Sequence, residues 1–250
     1  MSADLRGNDF FSWKGLRIYQ DHEVLKVGTD AVILGSWIPQ IIPKASSILD
    51  AGTGSGILAM VMANTFPEAT IHAIDIDEKA VALAQWNVMT AHLEKRITVS
   101  KNDVLDKREI TGDRFDLIVC NPPFYNTGVL PRDDYHTRAK HSLVPIANWI
   151  NSLLMRLLQD GHLCLIVPAE SAHQWIHAAN ENSYYVQHRV DVFSFGNDLL
   201  AKRSLLHFAG HLRPPETKRL VLYTEAKKYT SEYLKWSDIQ STQATYTIDE

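Results

Sequence analysis

The chain has 250 residues, 45% of them hydrophobic, and a formal charge of −4 with a pI near 6.2. Such a length allows one large domain or two small ones, and the acidic balance excludes the pervasive basic field of a protein that holds polynucleotides by charge alone. A polynucleotide partner would have to meet a local patch.

No apolar run reaches the ~20 residues of a membrane span. Asp4, Arg6 and Asp9 interrupt the amino terminus where a signal peptide needs an apolar core, so a cytoplasmic location is expected. Cys120 and Cys164 fall in apolar runs, as buried free thiols of a reducing compartment do. His173 and His177 stand at helical spacing without a glutamate beside the first, and no Cys/His pair has ligand spacing; no metal site is expected.

In chain order, Phe10, Phe11, Trp13, Leu16, Ile18 and Tyr19 partly alternate, which predicts a strand or hairpin covering the core. Thr29 or Asp30 can cap a helix through Ala31-Val32-Ile33-Leu34, which Pro39 and Pro43 would close. Ser47-Ile48-Leu49-Asp50-Ala51 then reads as a short strand, Gly52-Thr53-Gly54-Ser55-Gly56 as a turn, and residues 57–66 as a helix. Glycines let a backbone approach a ligand, and the helix start aims free N–H groups at it. The spacing differs from the dinucleotide G-x-G-x-x-G, and alone it suits a plain strand-to-helix turn equally well.

A second strand, from Thr70, ends in Asp75 and Asp77. An acid at that tip, some twenty residues past a glycine turn, is placed to hydrogen-bond a ribose. The following helix sets Ala80, Leu83, Ala84, Val88 and Ala91 on one face, with Trp86 and Asn87 as packing and surface. A third strand, 96–100, leads to Asn102-Asp103, and in a parallel sheet Asp103 reaches the same edge as Gly52 and Asp75. Asp113 and Asp116 read as turn residues.

The fourth strand, Phe115 to Cys120, stops at Asn121-Pro122-Pro123-Phe124. Neither proline has an N–H and each fixes φ, so the corner is stiff and leaves the sheet. The Asn121 side-chain oxygen and the Pro122 carbonyl can accept both hydrogens of a planar amine, while Phe124 offers a face for stacking. The tetrapeptide by itself is also consistent with nothing more than a turn. About twenty aperiodic residues follow, carrying Arg132, Arg138 and Lys140 among Tyr135, His136 and His141, as a lid, a polynucleotide contact or a solvated loop would.

Helix 145–159, strand 162–167, helix 169–181, strand 185–195 and strands 204–212 and 219–225 complete the alternation, some of the last antiparallel. Lys202, Arg203, Arg213, Lys218 and Arg219 fall in the late connections, on one rim or as ordinary solvated charge. Beyond Tyr229 the chain turns polar and its last ten residues look frayed. The expected organisation is one α/β domain over 1–250: a cover (1–30), a core (31–212) and an extension (213–250).

The glycine turn after Asp50, the acid Asp75 and the Asn-Pro-Pro-Phe corner together resemble a Rossmann-like, class I S-adenosylmethionine-dependent methyltransferase of the amino-methylating kind, over roughly residues 26–212. Lys26-Val27-Gly28-Thr29-Asp30, the aromatic amino terminus and the stretch from Leu222 to Tyr233 narrow the resemblance to the bacterial tRNA1(Val) (adenine-N6)-methyltransferases. That resemblance implies a mostly parallel seven-stranded sheet with antiparallel carboxyl-terminal strands and helices on both faces. It implies that Gly52, Gly54 and Gly56, with Asp50 behind them, cradle the methionine portion of S-adenosylmethionine. By the same resemblance Asp75 takes the ribose hydroxyls, Asp103 the adenine amine, and Thr29 and Asp30 close the methionine end. Asn121, Pro122 and Phe124 would hold the target base. From the loop itself, Pro123, Arg132, Arg138 and Lys140 are the candidates to meet a tRNA, and the sequence leaves the oligomeric state open with a monomer favoured. Two departures stand out: Phe124 replaces the frequent tyrosine, and the extreme carboxyl terminus lacks an aromatic-rich ending.

The same corner also suits a protein glutamine amide or a guanine amine, although enzymes for glutamine usually carry a helical amino-terminal domain for which the 46 residues before Ser47 are short. A non-catalytic module would be expected to have lost the glycines or the asparagine.

Overall fold

The computed structural model describes residues 10–20, 28–106, 114–123 and 144–238. It opens on the expected hairpin, β1 (Phe10–Trp13) and β2 (Leu16–Tyr19). The two residues between them, Lys14 and Gly15, both have positive φ (49° and 76°), the backbone whose twist matches a two-residue hairpin. Trp13, Leu16 and Ile18 are buried, so the hairpin lies on the core as a cover.

A single eight-stranded sheet carries the rest. β3 (Ser47–Ala51), β4 (Thr70–Asp75), β5 (Ile97–Lys101), β6 (Phe115–Cys120) and β7 (Leu157–Pro168) are parallel, in the order β7-β6-β3-β4-β5. β9 (Arg203–Ala209) lies antiparallel between β7 and β8 (Tyr185–Phe195), and β10 (Glu216–Tyr223) pairs parallel to β8 at the edge. The expected sheet therefore gains an eighth strand, and β9 alone runs against the others. Successive residues of the central strands point to opposite cores: Ile48, Leu117 and Val119 to one, Leu49, Ile118 and Cys120 to the other. Both faces are dry, which is why these strands read as unbroken apolar runs.

The first core is closed by α1 (Thr29–Ile41), α2 (Ile57–Thr65), α3 (Glu78–Thr90) and α6 (Ser231–Ser237), the second by α4 (Ile146–Leu154) and α5 (Ala172–Asn180). Gly28 occupies the cap of α1 with no side-chain cap bond, so Thr29 and Asp30 are its first helical residues and not its caps. Pro39 does not end this helix either. The helix runs two residues further to Ile41, and Pro43 lies just past its end.

Three other expectations shift. The helix drawn over 145–159 stops at Leu154, because Leu157 already pairs with Phe115 and a register shift at Phe115/Leu117 brings His162 opposite Leu117. Gly161 fits that irregularity: a Cβ there would lie 3.0 Å from the carbonyl oxygens of Leu158 and Phe115. The polar stretch after Tyr229 includes α6, capped by Thr230 and anchored by buried Tyr233. The late cations do not share one rim. Lys202 and Arg203 sit at the carboxyl-end edge, whereas Arg213 approaches His188 near the start of β8.

At that opposite edge three imidazoles form a chain. His162 Nδ1 meets His207 Nε2 at 3.0 Å, and His207 Nδ1 meets His188 Nδ1 at 2.9 Å, beside a cavity of about 370 Å³ lined by Gln159, Asp160, His162, Ala209, Gly210 and His211. Burial, followed by the nearby His162, His188, Arg213 and His211, pushes His207 down to about 3. Folded His207 therefore refuses a proton that the unfolded chain accepts near pH 6.5, and acid favours unfolding over the window from about 6.5 down to about 3. The unfolding free energy of the wild type minus that of His207→Gln is expected to fall by about 2 kcal/mol between pH 7 and pH 5. Urea titrations of both proteins at the two pH values measure that difference, in which titrating groups remote from His162, His188 and His207 cancel.

Among the described residues, no helix is long and apolar enough to cross a membrane and no cluster of His, Cys, Asp and Glu could hold a metal ion. Both cysteines are free and buried.

Candidate active site

After β3 the chain steps to β4 and β5 on one side and returns as β6 on the other, so the turns leaving β3 and β6 part in opposite directions. Open α/β sheets bind their ligands in the crevice at such a point. Ala51 faces Cys120 on one flank and Ile74 on the other, and Asp75 faces Lys101. Gly52, Asn121 and Asp75 consequently leave the sheet at one level, with Asn102 one step beyond. Strand spacing sets Asn121 and Asp75 ~10 Å apart across β3.

The turn after β3 is built by its backbone. Gly52 N–H and Thr53 N–H both donate to the Ile74 carbonyl at 2.9 Å, and Gly56 N–H donates to the Thr53 carbonyl at 2.9 Å. Gly52, Gly54 and Gly56 have φ of 77°, 56° and 84°, a region that L side chains enter only with strain. A Cβ on Gly52 or Gly54 would meet nothing within 4 Å, so both face open space; one on Gly56 would lie 3.2 Å from the Ala84 Cβ. The first two glycines thus line a hollow, and the third lets the turn pack on α3.

Asp50 lies beneath this turn, fully buried. Its Oδ2 accepts from Thr53 Oγ1 at 2.6 Å and Ala59 N–H at 2.9 Å. Burial nevertheless outweighs those bonds and, with the Asp75 charge adding to it, pushes the carboxyl up to about 7. Asp75 accepts from Gly54 N–H at 2.9 Å and Asp77 N–H at 3.0 Å, locking the glycine turn to the tip of β4. Asp103 accepts from Leu105 N–H at 2.8 Å and shapes the turn after β5. Asp30 accepts from Arg203 Nε at 2.8 Å, which ties the start of α1 to the same edge of the sheet.

Three buried side-chain oxygens here have no hydrogen-bond partner among the described residues: Asp50 Oδ1, Asn102 Oδ1 and Asn121 Oδ1. A buried acceptor without a donor forfeits about 1–3 kcal/mol, so each is an address for an N–H or O–H arriving from outside the chain. Pro122 is buried behind Asn121, and Pro123 is half-buried. Phe124, Arg132, Arg138 and Lys140 lie outside the described residues.

The structure brings Thr29, Asp30, Asp50, the three glycines, Asp75, Asp103 and the Asn121-Pro122-Pro123 corner to one edge of the sheet. It also adds Asn87, which the sequence alone places with packing and surface. Asn87 is fully buried: its amide nitrogen donates to the carbonyls of Tyr19 (3.0 Å) and Ser55 (2.8 Å), and its oxygen accepts from Tyr19 N–H (2.8 Å). One side chain thereby joins the hairpin, α3 and the glycine turn. The available signal was a polar residue on the apolar stripe of α3, beside Ala84 and Val88. Asn87→Ala strands three backbone groups and is expected to destabilise the fold by about 2–4 kcal/mol, read as a lower midpoint in urea.

The family comparison decides the class. The model of the methyltransferase small domain matches residues 24–174. The chain belongs to that family. Curated relatives include the tRNA1(Val) (adenine(37)-N6)-methyltransferases of Flavobacterium psychrophilum, 33% identical over 90% of this chain and 95% of the relative, and of Tolumonas auensis, 31% identical over 93% and 96%. This methyltransferase also shares its fold with a "predicted O-methyltransferase" from Agrobacterium tumefaciens (TM-score 0.64, 18% identity, 89% of this chain and 100% of the other). A methyltransferase from Pyrococcus furiosus matches with TM-score 0.59 at 16% identity, over 80% and 91%. Family and fold imply S-adenosylmethionine as methyl donor. The hollow suits it: two glycines open onto space that a side chain would fill, and unpartnered Asp50 Oδ1 and Asn102 Oδ1 can take amine or hydroxyl protons.

Proposed function

We propose that this methyltransferase places a methyl group on the exocyclic N6 of an adenine in tRNA, the adenine beside the anticodon of a valine tRNA. One observation carries the reading: the unpartnered, buried Asn121 oxygen, on a proline-locked corner level with the glycine-lined hollow. The names of the relatives support the choice of base and RNA.

In this reading Gly52, Gly54 and Gly56 hold the methionine portion of the donor over Asp50, with Thr29 and Asp30 closing that end. Asp75 takes the ribose, and Asp103 with Asn102 takes the adenine. When bound, S-adenosylmethionine supplies an electrophilic methyl that carries its own leaving group. Asn121 Oδ1 and the Pro122 carbonyl accept the two N6 hydrogens and draw the nitrogen lone pair out of conjugation, toward the hollow; as the N–CH3 bond replaces the S–CH3 bond, one of these two hydrogens leaves to solvent as a proton. Phe124 stacks on the base, and Pro123 with Arg132, Arg138 and Lys140 meets the RNA. Most of the acceleration is alignment together with exclusion of water. The base must leave its stack to enter, at a cost of about a few kcal/mol that is smallest in a loop. In this reading all of the assigned residues come from one chain, and the enzyme acts as a monomer in the cytoplasm.

Labelled S-adenosylmethionine offered with total tRNA, ribosomal RNA and protein fractions tests this. Label is expected in tRNA, as N6-methyladenosine after nuclease digestion. Label in protein or in guanine overturns the assignment.

A further inference from the structure

The turn joining β8 to β9 leaves the sheet at the same edge as the active site, because β8 runs parallel to β6 and β3. Its tip exposes two adjacent leucines, Leu199 at 95% and Leu200 at 80%. Single exposed apolar side chains are ordinary, but these two are held outward by a built turn. Phe195 N–H donates to Asp198 Oδ2 at 2.9 Å, and Asp198 N–H returns to the Phe195 carbonyl at 3.2 Å. Arg219, stacked over Phe193 with its guanidinium 3.6 Å from the ring centre, donates to the carbonyls of Gly196 (2.9 Å) and Asp198 (3.3 Å). Lys202 closes the turn: its N–H donates to the Val192 carbonyl at 2.8 Å, and its carbonyl accepts from Ala169 N–H at 3.3 Å. Both stems of the turn are thus fixed by hydrogen bonds, and the two leucines stand exposed between them.

Location and charge say what it faces. From β6 two strand spacings lead across β7 to β9, and the register of Leu165 with Cys120 and Leu206 sets Lys202 three residues beyond the level of Asn121, so it lies ~14 Å from that residue. Lys202 is exposed and has no carboxylate partner among the described residues, and Arg219 is engaged by carbonyls and a ring. Three of the nearby carboxylates are engaged within the chain, Asp198 by Phe195 N–H, Asp30 by Arg203, and Asp191 by Arg189 and Ser204, while Glu170, beside the Ala169 that bonds Lys202, is exposed. An apolar tip flanked by cations suits the flat faces of unstacked bases with phosphates between them.

We propose that Leu199 and Leu200 form a rigid platform for one or two unpaired nucleotides flanking the target base, with Lys202 on an adjacent phosphate. This rests on the reading of the enzyme as an RNA methyltransferase and adds a second point of contact outside the reacting corner. A loop is thereby registered from the side, and a strand that cannot lie across the tip is held poorly.

Steady-state methylation of an unmodified tRNA transcript by the wild type, Leu199→Ser/Leu200→Ser and Lys202→Glu tests the platform. The double variant is expected to raise KM for tRNA about tenfold or more, with kcat, S-adenosylmethionine affinity and melting temperature little changed. Leu200→Tyr should recover most of the affinity, since a ring stacks as well as a leucine. Lys202→Glu should lower the slope of log KM against log salt by about one. A wild type that methylates tRNA beside a double variant of unchanged KM overturns the platform alone. A wild type that methylates protein and no RNA overturns both readings, and a change of oligomeric state in the double variant makes the tip a self-association surface instead.

Discussion

Asn121→Ala is expected to lose methyl transfer by about 100-fold or more in kcat, the scale set by removing one preorganised hydrogen-bonding group from a reacting centre. The same variant should bind S-adenosylmethionine normally, because in the proposed reading Asn121 meets the amine while the donor rests on the glycine turn after β3 and the tip of β4. Its stability should be unchanged or slightly higher. Alanine removes a buried acceptor that has no partner in the unliganded chain, and with it the penalty of burying one. Calorimetric titration, thermal melting and single-turnover transfer together check the three parts. Normal single-turnover rates in a correctly folded variant would remove the corner from the chemistry.

The glycine turn should divide by position. Gly52→Val sets a branched side chain where a Cβ meets nothing within 4 Å, so its main effect falls on whatever occupies the hollow. Donor affinity is expected to drop about 100-fold, with a stability loss of roughly 1–2 kcal/mol for a left-handed non-glycine residue. Gly56→Ala should show the reverse balance. Its Cβ lies 3.2 Å from Ala84 Cβ at a φ of 84°, so stability falls by about 2–3 kcal/mol, and donor affinity among the folded molecules falls less. Titrations of both variants against a bound-donor signal, paired with urea unfolding, separate the two. Equal donor affinities for the two would contradict a hollow bounded by Gly52.

What could be read from the chain follows the range of the forces. The glycine turn, the acid at the end of β4 and the proline corner are local backbone statements, and each falls at the tip expected for it. Once the sheet is parallel, their meeting follows from register, since Ala51 sits between Ile74 and Cys120. Illegible were the contacts that need partners far along the chain. Asn87 looked like surface until Tyr19 and Ser55 surrounded it, and Asp30 like a cap until Arg203, 173 residues away, took its carboxylate. Asp116, expected in a turn, lies inside β6 and accepts from the N–H groups of Ser46 and Ser47. Periodicity failed at Leu157 and Leu158 for a different reason. Their apolar spacing continues that of α4, and only the pairing of Leu157 with Phe115 makes them strand.

The indole of Trp13 donates to the carbonyl of Ser237 at 2.6 Å, across 224 positions of sequence. So long a closure pays its entropy late, after the sheet between its ends has formed. During synthesis the first hairpin emerges from the ribosome long before its latch exists, and until Ser237 is made only its contacts with α1 and α3 hold it in place. Nascent chains halted before residue 231 should therefore lean on chaperones and be cut readily within the hairpin, while released chains resist.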